Sequence, residues 1–291
     1  MTFLQQLING LHVGSIYALI ALGYTMVYGI IKLINFAHGD IMMLGAFTAF
    51  MTLTTFQLPI GVVLLITIIF CAIAGMLIER IAYKPLRNAP RISALITAIG
   101  VSFALENLFL ILFGASSKPF PYHINLPPLS IGPLQITWIT IITLLLSVGI
   151  MLMLDFFIKK TKIGKAMRAV SEDEDAAQLM GINTSTTISI TFAIGSALGG
   201  VGGVLYSIAY PQIQPYMGVM PGLKAFIAAV LGGIGIMPGA MLGGFLMGII
   251  ESLTKGYIST LWSDAIVFGI LILVLLIKPT GILGKNIREK V

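Results

Sequence analysis

Long apolar runs broken by short polar joints set the pattern of this chain. The runs fall at 11–31, 41–56, 59–78, 92–113, 135–158, 186–209, 220–236, 238–254 and 262–277. Most approach the ~20 residues that a helix needs to cross a hydrocarbon core about 30 Å thick. The pattern predicts an all-α polytopic integral membrane protein with eight to nine transmembrane helices, folded as a single transmembrane domain over residues 1–291. The lower count applies if one of the short glycine-rich segments between 220 and 254 is re-entrant.

The joints carry the orientation. Arg80, Lys84, Arg87 and Arg91 cluster in one, Lys159, Lys160, Lys162, Lys165 and Arg168 in another, and Lys278, Lys285, Arg288 and Lys290 in the tail. Basic residues concentrate in cytoplasmic joints, so all three clusters are expected inside. The connection at 114–135, with one Lys, one His and five prolines, reads as an outer loop. Nine crossings satisfy every cluster and put the N-terminus outside and the C-terminus in the cytoplasm.

Composition fits this picture. With 57% hydrophobic and 10% charged residues and a mean hydropathy of +1.01, the chain has more apolar surface than a soluble domain can bury. The net charge of +6 resides in the joints rather than on one face, which argues against nucleic-acid binding. Cys71 is the single cysteine, so neither an intramolecular disulfide nor a thiolate metal site is expected. The first basic residue is Lys32, which leaves no basic start for a cleaved leader, and the first apolar segment is expected to be retained.

Glycine and the few polar residues within the runs supply candidate chemistry. Gly195, Gly199 and Gly203 recur at four-residue spacing, as do Gly239 with Gly243 and Gly244 with Gly248. Such spacing lets helix backbones approach in lipid, and it equally suits a conduit lined by small residues. Gly199 and Gly203 are therefore candidate pathway residues, together with Glu106 and Asn107, which lie deep in an apolar run where a carboxylate is costly. Lys224 and Glu251 flank the short glycine-rich segments, where they either snorkel or pair. Lys255 and Asp264 are expected in an outer loop anchored by Trp262. Asn35, His38 and Asp40 are placed where the first span meets the cytoplasm, the first and last as helix caps and His38 at the interface. With no third ligand beside them, no metal site is expected. Ser15 and Ser196 could serve a hydrolase only with a histidine at their depth. His12 and His38 are read at or near span ends and His123 in the loop, so no catalytic residue is assigned.

The longest polar stretch, at about 159–185, is cytoplasmic in this reading. Ser171 followed by Glu174 forms a capping-box pattern, and Ala176, Ala177, Leu179 and Met180 then predict a short helix that Gly181 ends in left-handed conformation. A short helix with an apolar side is suited to dock in a partner's groove and transmit rigid-body motion.

Asp175-Ala176-Ala177, three residues and then Gly181 is similar to the EAA loop of ABC importer permeases, with Asp in place of the usual Glu. The segments Lys32 to Asp40, Arg80 to Arg87, Ala225 to Gly235 and Pro279 to Gly284 resemble the signatures of the branched-chain amino acid permease family, in its shorter permease type. The resemblance spans nearly the whole chain. It implies an ABC importer permease bundle in a bacterial inner membrane, coupled to its ATPases through Glu174, Asp175, Ala176, Ala177 and Gly181. The implied partners are a second homologous permease, two ATPase subunits that bind ATP and Mg, and a periplasmic protein delivering leucine, isoleucine or valine. Some members of the family carry other amino acids, amides or urea. The chain has no G-x-x-x-x-G-K-[ST] loop of its own, so the energy source must be external. The rival reading is an ion-coupled secondary transporter or channel using Glu106 and Glu251.

Overall fold

The computed structural model describes residues 2–87, 89–124 and 126–284. Lys285, Arg288 and Lys290 lie outside the described residues. Eleven α-helices follow in order: α1 (Phe3–Ile31), α2 (His38–Phe56), α3 (Ile60–Ile78), α4 (Arg91–Phe113), α5 (Trp138–Lys160), α6 (Lys162–Glu172), α7 (Glu174–Leu179), α8 (Thr184–Ala209), α9 (Val219–Gly232), α10 (Met237–Tyr257) and α11 (Ser263–Ile277). Seven are long and apolar enough to cross a membrane, and α9 and α11 are shorter apolar helices. Together they coincide with the nine apolar runs.

The helices sort by how much of their surface they bury. Nearly all of α1 from Gly14 to Val27 is buried, and α2, α8 and α10 are largely so. On α3, α4, α5 and α11, bulky residues such as Ile69, Ile111, Leu145 and Leu276 face outward, as lipid permits. The four-residue glycine spacing marks the close contacts. A side chain on Gly203 would strike the carbonyl of Met42 on α2, and one on Gly248 would strike the backbone of α1 at Gly14. This is small-residue packing, which substitutes for the hydrophobic drive that lipid removes.

Short α9 ends inside the bundle, where its last carbonyls have no water. The tail supplies the donors: the backbone N–H groups of Ile282 and Leu283 bond to the carbonyls of Leu231 and Gly232 at 2.8 and 3.0 Å. Gly281, at φ +79°, makes the turn that brings them there.

At one end of the bundle, the 114–137 connection forms β1 (Lys118–Pro119) and the hairpin β2 (Leu129–Ile131) with β3 (Leu134–Ile136); β1 pairs with β4 (Gln212–Ile213). The hairpin takes residues 134–136, so α5 begins at Trp138 rather than 135. Gln5 of α1 exchanges two 2.9 Å hydrogen bonds with the backbone of Gln135.

The start of α2 departs from the sequence reading. After α1 the chain turns at Lys32, at φ 56°, and the helix begins at His38 instead of 41. Asn35, His38 and Asp40 are buried within the bundle. His38, 1% exposed, fills a slot left by Gly23 of α1 and Gly199 of α8, its ring 4.5 Å from that of Tyr24. Asn35 accepts a hydrogen bond from the Tyr83 hydroxyl at 2.8 Å. Neither Asn35 nor Asp40 caps the helix, since Ala37 occupies the N-cap position and no side chain bonds there.

Candidate functional site

The polar stretch between α5 and α8 folds as two helices at the end of the bundle opposite the hairpin. Thr161 breaks the chain direction after α5: its hydroxyl accepts from the Gly164 N–H at 3.0 Å and donates to the Phe157 carbonyl at 2.7 Å. Gly164 lies against the backbone of Phe157 and Ile158, which allows a tight corner. Gly164, Met167 and Val170 recur every third residue along α6 and are buried, while lysines and Arg168 face outward.

The cap of α7 differs from the one expected. Because α6 runs through Glu172, Ser171 is still helical and donates to the Arg168 carbonyl at 2.7 Å. Asp173 is extended, at φ −155° and ψ 113°, and its carboxylate accepts from the Ala176 N–H at 2.8 Å. Glu174 and Asp175 occupy the first turn, where negative charge suits the helix dipole. Gly181 ends the helix at φ +84°, donating to the Gln178 carbonyl, while Ile182 donates to Ala177. These two bonds make a Schellman stop.

Only Ala177 of α7 is buried. With Val170 it packs in an apolar cluster containing Val27 of α1, Tyr83, and Ile188 and Phe192 of α8. The opposite side is bare: Leu179 is 89% and Met180 84% exposed. Thus α7 is held on the bundle by one small residue and presents two large apolar side chains outward.

Beside this cluster, α3 widens into a π turn at Glu79–Tyr83. Glu79 is fully buried, ion-paired with Arg87, and accepts a 2.6 Å bond from the Ser189 hydroxyl of α8. The sequence reading missed Glu79. Its signal was a carboxylate at the end of a span, eight residues before an arginine.

The candidate pathway residues are not gathered in one place. Glu106 is buried, whereas Asn107 is exposed on the flank of α4 and donates to the Phe103 carbonyl at 2.8 Å. Gly199 packs on His38 and Ile41, and Gly203 on Met42. Lys224 and Glu251 pair, at 2.9 Å, in a buried network. Lys224 also meets Asp264 at 2.7 Å, and Glu251 meets Lys255 at 2.6 Å and the Tyr17 hydroxyl at 2.8 Å. Lys255 and Asp264 are therefore part of α10 and α11 and of this network, rather than loop anchors. The extra turn of α10, through Tyr257, brings Lys255 one turn above Glu251.

Two cavities lie among these helices. One of about 310 Å³, towards the hairpin end, is lined by Gln6, Asn9, His12, Tyr210, Glu251 and Lys255 among others. The other, of about 190 Å³, lies between α1, α2, α4 and α9.

Comparison with known proteins agrees with the architecture. Residues 6–276 match the family model described as branched-chain amino acid transport system / permease component. The chain is 45% identical to the high-affinity branched-chain amino acid transport system permease protein LivH of Salmonella typhimurium, over 99% of this chain and 98% of that one. It is 44% identical to LivH of Escherichia coli K12 and 43% to BraD of Pseudomonas aeruginosa, with the same coverage. No solved structure matches.

Proposed function

Since the chain belongs to the family of branched-chain amino acid transport permeases, we propose that it is the permease subunit of an ATP-driven importer of leucine, isoleucine and valine. In this reading a second homologous permease completes the pathway, two ATPase subunits bind ATP and Mg below it, and a periplasmic binding protein delivers the substrate above. The basic joints are cytoplasmic and the N-terminus is outside. The observation that carries the proposal is α7, a short helix stopped at Gly181 that presents Leu179 and Met180 to solvent. Two large exposed side chains on a short docked helix fit a groove on an ATPase subunit. Ala177 and Val170 beneath them link that contact to Tyr83 and α8. ATP-driven closure of the ATPases would thus reach the bundle as a rigid movement of α7, giving alternating access.

Of the two carboxylates in the rival, ion-coupled reading, Glu251 is ion-paired with two lysines. The test is purification of the tagged chain from its native membrane. Two ATPase subunits and a second permease are expected to accompany it. Changing Leu179 and Met180 together to Asp is expected to lose the ATPases and keep the second permease. Recovery of the chain alone as a homo-oligomer overturns the proposal.

A further inference from the structure

None of the pathway residues chosen from the sequence lines the 190 Å³ cavity. Two helices begin at its wall. The N-termini of α2 and α9 meet through Gly39, Gly218 and Gly222, each of which would collide with the other helix if it bore a side chain. Neither N-terminus has a side-chain cap. Pro221 in the first turn of α9 has no N–H of its own, the Val219 N–H is taken by the Tyr216 carbonyl at 3.3 Å, and Gly218 and Val219 at that positive end line the cavity.

Asp40 also lines the cavity and is 2% exposed. Its carboxylate is reached by the Ser102 side chain, and the charged group that bears on it is another carboxylate, Glu106. Among the described residues, no Lys, Arg or His forms an ion pair with it. A buried carboxylate repelled by a second one needs a cation from elsewhere or must give up its charge. The rest of the wall is apolar, from Phe36, Ile99, Leu223 and Phe226. At about 30 Å³ per water, the space equals roughly six waters, the scale of one small organic ligand. It opens on the flank of the chain, where Val219 and Leu223 are partly exposed.

We propose that this cavity binds a single zwitterionic α-amino acid with an aliphatic side chain during transit. Asp40 takes the ammonium group, the N-terminus of α9 faces the carboxylate, and Phe36, Ile99, Leu223 and Phe226 enclose the side chain. A broken helix aiming its N-terminus at an anionic group is a recurring transporter arrangement. The substrate class rests on the importer reading; the site itself rests on the pairing of an uncompensated carboxylate with a helix N-terminus.

Binding of radiolabelled leucine to the purified assembly, without the binding protein, tests this. Saturable binding is expected, with 4-methylpentanoate, which lacks the ammonium group, competing poorly. Asp40→Asn is expected to weaken leucine binding about ten- to a hundredfold, the worth of one charge-assisted hydrogen bond. It should also narrow the preference for leucine over 4-methylpentanoate. No saturable binding to the wild-type assembly, or Asp40→Asn binding within about twofold of it, overturns the proposal. If Asp40→Asn does not assemble, Leu223→Trp decides, because filling the apolar wall is expected to reject leucine and unchanged leucine affinity overturns the site. Failure of the importer reading is separately visible, as a wild-type chain that brings no ATPase subunits with it.

Discussion

Glu251 and Lys224 lie 27 residues apart and on different helices, yet each is the other's buried partner. Removing one member of a buried pair costs about 3–5 kcal/mol, while replacing both by apolar residues is often neutral. Glu251→Leu is therefore expected to lower the melting temperature of the purified assembly, and the double variant with Lys224→Met to recover part of it, since Lys255 and Asp264, which also lose a partner, are partly exposed. A double variant less stable than either single one would contradict the pairing. Sequence alone left two readings open here, because nothing in the spacing says which helices face each other. Glu106 and Asn107 show the same limit differently. They are adjacent, but one residue turns a helix by 100°, so one is buried and the other bonds its own backbone on the outside.

At the scale of elements, α7 was legible and its cap was not. The alanines, the acidic first turn and Gly181 announce a short helix with a left-handed stop. The continuation of α6 through Glu172 moved the cap from Ser171 to Asp173, because a residue inside a helix cannot adopt the extended conformation of an N-cap. Asp173→Ala is expected to cost α7 about 1 kcal/mol, read as faster amide exchange in residues 174–179, with Ser171→Ala leaving that exchange unchanged. Equal effects of the two would restore the capping box. The helix α6 went unannounced because its apolar positions are few and its lysines read as a basic joint. The burial of α2's first turn was equally hidden: the slot for His38 is cut by Gly23 on the preceding helix together with Gly199, far away in sequence on α8.

For the whole molecule, the membrane made the sequence readable. Lipid demands helices of near-fixed length with apolar exteriors, so nine runs became nine helices with ends shifted by only a few residues, apart from the early start of α1. Depth and packing were less accessible, because they depend on which glycine meets which backbone. The proposed account of function rests on the same bundle, with a docked α7 that can be pushed and an Asp40 cavity where the N-termini of α2 and α9 meet. Uptake of leucine into proteoliposomes containing the purified assembly tests that account most directly, with the binding protein supplied on the outer side and ATP on the side of α7. Uptake that requires ATP and is indifferent to a protonophore is the predicted result. Uptake that collapses with the proton gradient and ignores ATP would contradict it.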